Sequence, residues 1–357
     1  MDFPEINQFT YIIGNNGSGK SRALEKHADK RRYESQVIVI SSGASDKFTF
    51  RPKVRATENG SYRYLGNRTV GNGTHNGTLA ANAVLLYVEI LNKNQKDVFL
   101  NFLHHISFDK KVGIGHRAIK RSTSPAFERA ELTEAFVAEN SDMLSSSSKP
   151  FEAVFYKAEE PFGFSDLSSG EQYIISTALK IIASSEENVV YYIDEPEVSL
   201  HVEWQIKWPE RFQPLLSLHS GVKAFIATHS PVIISSALQC GAACYLLKSN
   251  ELCRIEAGKF DVEEILFKDF NTLTPYNKHL YAEIAEIVNE TVTSLNLHLK
   301  NAEPKALNAV ESLGRRIDEV SKSAKDSHTV KQVFEEFKTA INDLLSLSQK
   351  TSAKKAS

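Results

Sequence analysis

The sequence predicts an α/β protein: a mixed, mainly parallel sheet flanked by helices, broken by an insertion and followed by a helical C-terminal region. Three observations carry this. Short apolar runs at Phe9–Ile13, Gln36–Ile40, Val189–Ile193 and Val222–Ala227 read as strands buried on both faces. Helical periodicity at 171–184 and 202–216 alternates with them, as in crossover-connected parallel strands. Beyond about residue 260 apolar residues recur only at helical spacing.

Composition bounds the rest. The chain has 357 residues with 42 Lys+Arg against 44 Asp+Glu, a net charge of −2. That length fits about two domains, expected at 1–260, with an irregular and helical insertion over about 44–150, and at 261–357. Hydrophobic residues at 41% and charged residues at 24% exclude wholesale disorder. Met1-Asp2-Phe3-Pro4-Glu5 lacks a basic n-region and an apolar h-region, so a cytoplasmic location is expected. The longest apolar stretch, Leu79 to Ile90, is interrupted by Asn82 and Glu89 and is too short for a bilayer, so no membrane partner is expected. Cys240, Cys244 and Cys253 give no disulfide framework and are expected to be buried free thiols.

Taken in order, Phe9–Ile13 ends at a glycine-rich turn, and Gln36–Ile40 ends in Ser41-Ser42-Gly43. Residues 55–78, rich in Gly, Asn, Thr and Arg, read as a long loop, and helix returns from Leu79 to about Ile106. The polar run Ser145–Ser148 is the expected linker, after which Phe151–Phe155 is a strand. In the C-terminal region three apolar stripes are expected to pack: Leu280, Ile284 and Ile287; Leu307, Val310 and Ile317; Phe337, Ile341 and Leu345. A basic tail from Lys350 is expected to fray. Charge is segregated: 47–121 carries 13 Lys/Arg and 4 Asp/Glu, whereas 122–200 carries 4 and 15. Docking of the two segments is the first reading, and a nucleic-acid surface on 47–121 the second.

Chemistry concentrates in four motifs. Gly14-Asn15-Asn16-Gly17-Ser18-Gly19-Lys20-Ser21 matches G-x-x-x-x-G-K-[ST] in full, with Arg22 directly after it. Its glycines let backbone N–H groups converge on phosphate, the following helix offers its positive end, Lys20 reaches the β/γ-phosphates and Ser21 ligates Mg²⁺. The strand Val189–Ile193 ends in Asp194, placed to hold Mg²⁺, and Glu195, placed to polarise attacking water. Ser168-Ser169-Gly170-Glu171 opens a helix whose N–H groups face an anion. His229, just past another strand, is placed to contact a terminal phosphate.

Walker A at 14–21, a signature at 167–171, Walker B at 189–195 and a switch histidine at 229, in that order, resemble the ATP-binding-cassette superfamily. The stretches Asp194–His201 and Ala227–Pro231 look like its soluble RecF, chromosome-maintenance and OLD-type branch. Val262–Leu266 and Leu273-Thr274-Pro275 are similar to OLD-like and Septu PtuA-like ATPases of anti-phage defence. The resemblance implies a homodimer closed around ATP and Mg²⁺, with Lys20, Ser21, Asp194, Glu195 and His229 of one protomer facing Ser168, Ser169 and Gly170 of its partner. It implies that Asn16 touches the γ-phosphate and that the Glu197–His201 loop crosses the interface. Ser169 stands where the family usually has a second signature glycine, Gln95 is a poor match to the Q-loop glutamine, and no aromatic ahead of Gly14 is assigned to adenine.

Between Ser21 and Leu167 lie only about 146 residues without sustained heptads, too few for a long coiled-coil arm. The expected function is an ATPase switch that controls a separate effector, a nuclease, in bacterial anti-phage defence; the alternative is a RecF-like DNA-binding clamp. No nuclease constellation is recognised in the chain itself.

Overall fold

The computed structural model describes residues 3–4, 7–43, 46–51, 53–68, 76–117, 128–146, 149–256, 261–263, 265, 278–297, 299, 301–321 and 327–355. The chain divides into two compact units, Met1–Gly258 and Lys259–Ser357. The first unit holds an eight-stranded sheet. Its central strands are parallel: β1 (Phe9–Ile13), β2 (Gln36–Ser41), β4 (Ser61–Tyr64), β9 (Val190–Asp194), β10 (Lys223–Thr228) and β11 (Ala243–Lys248). Two edge strands, β3 (Arg55–Ala56) and β12 (Glu251–Arg254), are antiparallel, giving the order β12-β11-β1-β10-β9-β2-β4-β3. The expected mixed α/β fold is what forms.

The buried strands are apolar on both faces because helices cover both. On one side, α1 (Lys20–Arg31) buries Leu24 and Ala28 against Ile12, Val37, Val39 and Tyr192. On the other, Tyr191 reaches α6 (Ser169–Ala183), accepting or donating at Ser184 over 3.2 Å, and Tyr11 packs edge-on to Trp208 of α7 (Val202–Leu216). Neighbouring residues on one strand therefore serve opposite layers, as the two-residue period requires.

The insertion differs from its expected form. Besides α2 (Asn76–Asn92), α3 (Lys96–His105), α4 (Glu134–Glu139) and α5 (Ser141–Ser145), it contains strands. β3 and β4 fall inside the stretch read as loop, and β5 (Val112–His116) and β6 (Ala130–Glu131) join a second, antiparallel sheet with β7 (Phe151–Lys157) and β8 (Glu160–Gly163), ordered β6-β5-β7-β8. The Phe151 strand thus belongs to this sheet rather than to the parallel one. The expected linker begins inside α5, and residues 147–148 lie outside the described residues. Of the three free thiols only Cys244 is buried; Cys240 and Cys253 are exposed, at a helix end and on an edge strand.

After α8 (Pro231–Gln239), the second unit contains α9 (Lys278–Asn296), α10 (Ala302–Ser321) and α11 (Ser327–Lys355). Leu280, Val310, Ile317, Phe337, Ile341 and Leu345 form its core as expected, joined by Ala306 and Leu313. Leu307 is exposed instead, since Ala306 takes the inward place beside it. The helix runs to Lys355, past the point where fraying is expected. Among the described residues no helix is long and apolar enough to cross a membrane.

Candidate functional site

The site forms where three parallel strands end together. Ile13 pairs with Thr228, and Asp194 pairs with both Ala227 and Ser41, so the residues following β1, β9 and β10 emerge at one sheet edge. The carboxyl ends of parallel strands are where such sheets place ligands. Gly14 to Gly19 turn there, with Gly17 and Gly19 at φ 80° and 93°, before α1 begins at Lys20. Only glycine adopts the Gly19 geometry at low cost. Gly14 is held by contact instead: a Cβ would lie 2.8 Å from Ser18 Oγ and 2.9 Å from the Leu247 carbonyl. Asn15, Asn16 and Gly17 are exposed, Ser18 is half-buried, and Arg22 points into solvent.

Lys20 is buried, and its Nζ donates to the carbonyls of Gly14 (2.7 Å) and Asn15 (3.3 Å) and lies 3.0 Å from His229 Nδ1. Burial lowers its pKa to about 8, and Asp194, Glu197 and Glu195 offset part of that. Ser21 Oγ donates to Asp194 Oδ1 at 3.0 Å, joining the two predicted metal ligands. Asp194 is 3% exposed, and burial pushes its pKa up to about 7 despite the Ser21 hydrogen bond. A buried carboxyl beside a hydroxyl, with its charge opposed by its surroundings, fits a site completed by a divalent cation. The buried hydroxyl of Ser18 has no hydrogen-bond partner among the described residues, and it too is a donor free to face an anion. Magnesium and a nucleotide triphosphate fit this donor set.

Glu195 follows β9 with φ 53°, a conformation unusual for a residue with a side chain, and its Oε1 lies 3.8 Å from His229 Nε2. His229 is held by a residue that motif reading assigned only to the interface loop. Glu197 Oε1 accepts from the His229 backbone N–H at 2.5 Å, and its Oε2 accepts from Thr228 Oγ1 at 2.7 Å. Thr228 Oγ1 in turn accepts from the Ser230 N–H at 2.9 Å, fixing the turn into α8. The signal available in the sequence was a second carboxylate two residues after Glu195.

Lys20, Ser21, Asp194, Glu195 and His229 therefore come together, whereas Ser168 to Glu171 do not join them. Ser168 and Ser169 are exposed at the start of α6. Glu171 Oε2 accepts from the Ser168 N–H (3.0 Å), Ser168 Oγ accepts from the Glu171 N–H (3.4 Å), and Lys157 donates to Glu171 Oε1 at 2.5 Å. This is a closed capping box. Gly170 is the tight point: a Cβ there would lie 3.2 Å from the Ser199 carbonyl, in the Glu197–His201 loop.

Gln95 is committed to Ser185 and His219, at 3.0 Å each, so it stands at the start of α3 as a structural residue. Phe3, the aromatic nearest the start of the described residues, is buried against His27 and Phe225. The stretch 262–266 is only partly described, and 273–275 lies outside the described residues.

Among known proteins, the family described as "AAA domain, putative AbiEii toxin, Type IV TA system" matches residues 34–235, more than half of the chain. The chain belongs to that family. This is a P-loop ATPase family related to the ABC and OLD-like ATPases. The chain is also similar to Protein ea59 of Escherichia phage lambda, at 25% identity over 239 residues, covering 65% of this chain. It spans only 41% of the lambda protein's length.

Proposed function

We propose that this AAA-family protein is an ATP-binding and ATP-hydrolysing switch that dimerises around two nucleotides and, by closing, controls a separate effector. One observation carries the reading. The phosphate-binding and metal-binding residues converge on one edge of the sheet, while Ser168 and Ser169 are exposed, Gly170 is half-buried, and among the described residues none of the three bonds to them. A head-to-tail second copy would supply the missing face, so that ATP acts as interface glue and hydrolysis releases it. Lys20 and the loop N–H groups would hold the phosphates, with Asn16 and Arg22 alongside. Ser21 and Asp194 would hold Mg²⁺, Glu195 would act as general base, and His229 would sense the terminal phosphate.

The wording of the 194–201 and 227–231 stretches and the toxin-system name of the matched family support a role in anti-phage defence in the manner of OLD-like and PtuA-like ATPases. The effector would be a nuclease on another chain. Arg63 and Arg68 of the basic segment are engaged with Glu89 and Asp46 inside the fold, which weakens the DNA-clamp alternative. Native mass spectrometry of a Glu195→Gln protein, purified from its host with ATP and Mg²⁺, tests the proposal. A second protein in fixed ratio supports the switch; an ATP dimer carrying DNA and no protein partner replaces it with the clamp.

A further inference from the structure

A cavity of about 460 Å³ is lined by residues of β4, α2 and α6 and shares none with the phosphate loop, Asp194, Glu195 or His229. Five of its lining residues are cationic (Lys53, Arg63, Arg68, Lys149 and Lys180) against one carboxylate, Glu89. That carboxylate is fully engaged: it accepts from both terminal nitrogens of Arg63, at 2.8 and 2.7 Å. Arg68 lies 3.5 Å from Asp46, and its guanidinium covers the ring faces of Phe50 and Tyr64.

The two lysines have neutral partners. Lys180 Nζ donates to Asn67 Oδ1 at 2.8 Å and Lys149 Nζ to Asn82 Oδ1 at 3.1 Å; among the described residues neither has a carboxylate within 4 Å. Lys180 is only 5% exposed, and burial lowers its pKa to about 7; burial also lowers that of Lys149. The Nε–H groups of Arg63 and Arg68 are buried and without acceptors among the described residues. Placing an ammonium away from water without an anion is destabilising in itself. A void of this size rimmed by such donors is accounted for when a ligand supplies the missing negative charge.

We propose that this cavity binds a small phosphate-bearing anion, with Lys180 and Lys149 as its principal ligands and Arg68 beside them. The volume lies in the range of small-molecule sites, about 300–1,000 Å³. Because Arg68 already occupies the two ring faces, recognition is of charge rather than of a stacked base.

The test uses the full chain carrying Lys20→Ala, which disables the phosphate loop, with sulfate as a dianion of constant charge. Sulfate is expected to raise Tm saturably, with an affinity that falls at least about fivefold from about pH 6 to about pH 8.5 as Lys180 loses its proton. Adding Lys180→Met should remove that response and raise Tm in sulfate-free buffer, since an unmatched buried charge is replaced by an apolar chain. A lysine kept for structure would instead lower Tm on replacement, and that result overturns the proposal. Lys149→Gln provides a second route that spares the buried position: sulfate affinity should drop at least about fivefold with Tm nearly unchanged. Undiminished sulfate binding in Lys149→Gln, or a pH-independent response in the parent, also overturns it.

Discussion

Lys20 Nζ donates to His229 Nδ1 over 3.0 Å, joining residues 209 apart in the chain. With the Gly14 and Asn15 carbonyls this uses every N–H of the ammonium, so a nucleotide must take the lysine from partners it already has. The imidazole nitrogen that accepts this bond carries no proton. Burial, and then the Lys20 charge, lower the His229 pKa and favour that neutral ring. A phosphate that captures Lys20 therefore also releases the histidine, which links occupancy of the loop to the residue facing Glu195.

Removing the ammonium should remove nucleotide binding. Lys20→Ala is expected to weaken ATP affinity on the order of a hundredfold or more, the usual cost of losing one side of a buried charge contact. Titration with a fluorescent ATP analogue measures this directly. Affinity within a few-fold of the parent would sink the phosphate-loop assignment.

The α6 cap gives a pH signature. Burial pushes the Glu171 carboxyl up, but hydrogen bonds from Lys157 and Ser168 outweigh it and hold the pKa below the ordinary value. The unfolded chain therefore binds more protons in that window. The contribution of Glu171 is present above its unfolded pKa and is lost as pH falls through the folded one. Glu171→Gln should cost less than about 1 kcal/mol near neutrality, since the pair is partly exposed. Thermal melts of parent and variant should converge as the medium becomes acidic. A gap that widens in acid contradicts the ion pair.

The central strands were legible because both faces are covered: Val190 to Ile193 can be apolar throughout only if helices lie above and below. The second sheet was not. β5 reads Val-Gly-Ile-Gly-His and β6 has two residues, so neither has a period to detect, and their pairing with β7 is set by tertiary contact. The phosphate loop and Asp194 were legible because their chemistry requires fixed types at fixed spacing. The second role of Glu197 was not, because its partners Thr228 and His229 are 31 and 32 residues away and meet it only when β9 and β10 pair.

Glu197 is expected to act as a positioning residue. It touches the backbone of His229 and the hydroxyl of Thr228, so Glu197→Ala frees the switch turn without altering the phosphate loop. Hydrolysis should fall by about tenfold to a hundredfold, as for small displacements of reacting groups, while ATP affinity stays within a few-fold. Glu197→Gln retains the acceptor for the His229 N–H through its amide oxygen and should recover part of the rate. Equal losses of affinity and turnover would point instead to a disturbed fold.

Glu195→Gln separates binding from hydrolysis. The amide keeps the size of the carboxylate at its positive-φ position but cannot take a proton from water, so turnover should drop about 10²- to 10⁴-fold. Because Lys20, Ser21 and Asp194 remain, ATP still binds, and the closed state accumulates. Light scattering after size exclusion should show a dimer with ATP and Mg²⁺ and a smaller species without them. Coupling Glu195→Gln to a bulky residue at Gly170 should weaken that dimer, since a Cβ there meets the Ser199 carbonyl of the same protomer at 3.2 Å and would push aside the Glu197–His201 loop expected at the interface. A monomer at saturating ATP and Mg²⁺ in the single variant excludes the sandwich; a dimer indifferent to nucleotide places the interface elsewhere.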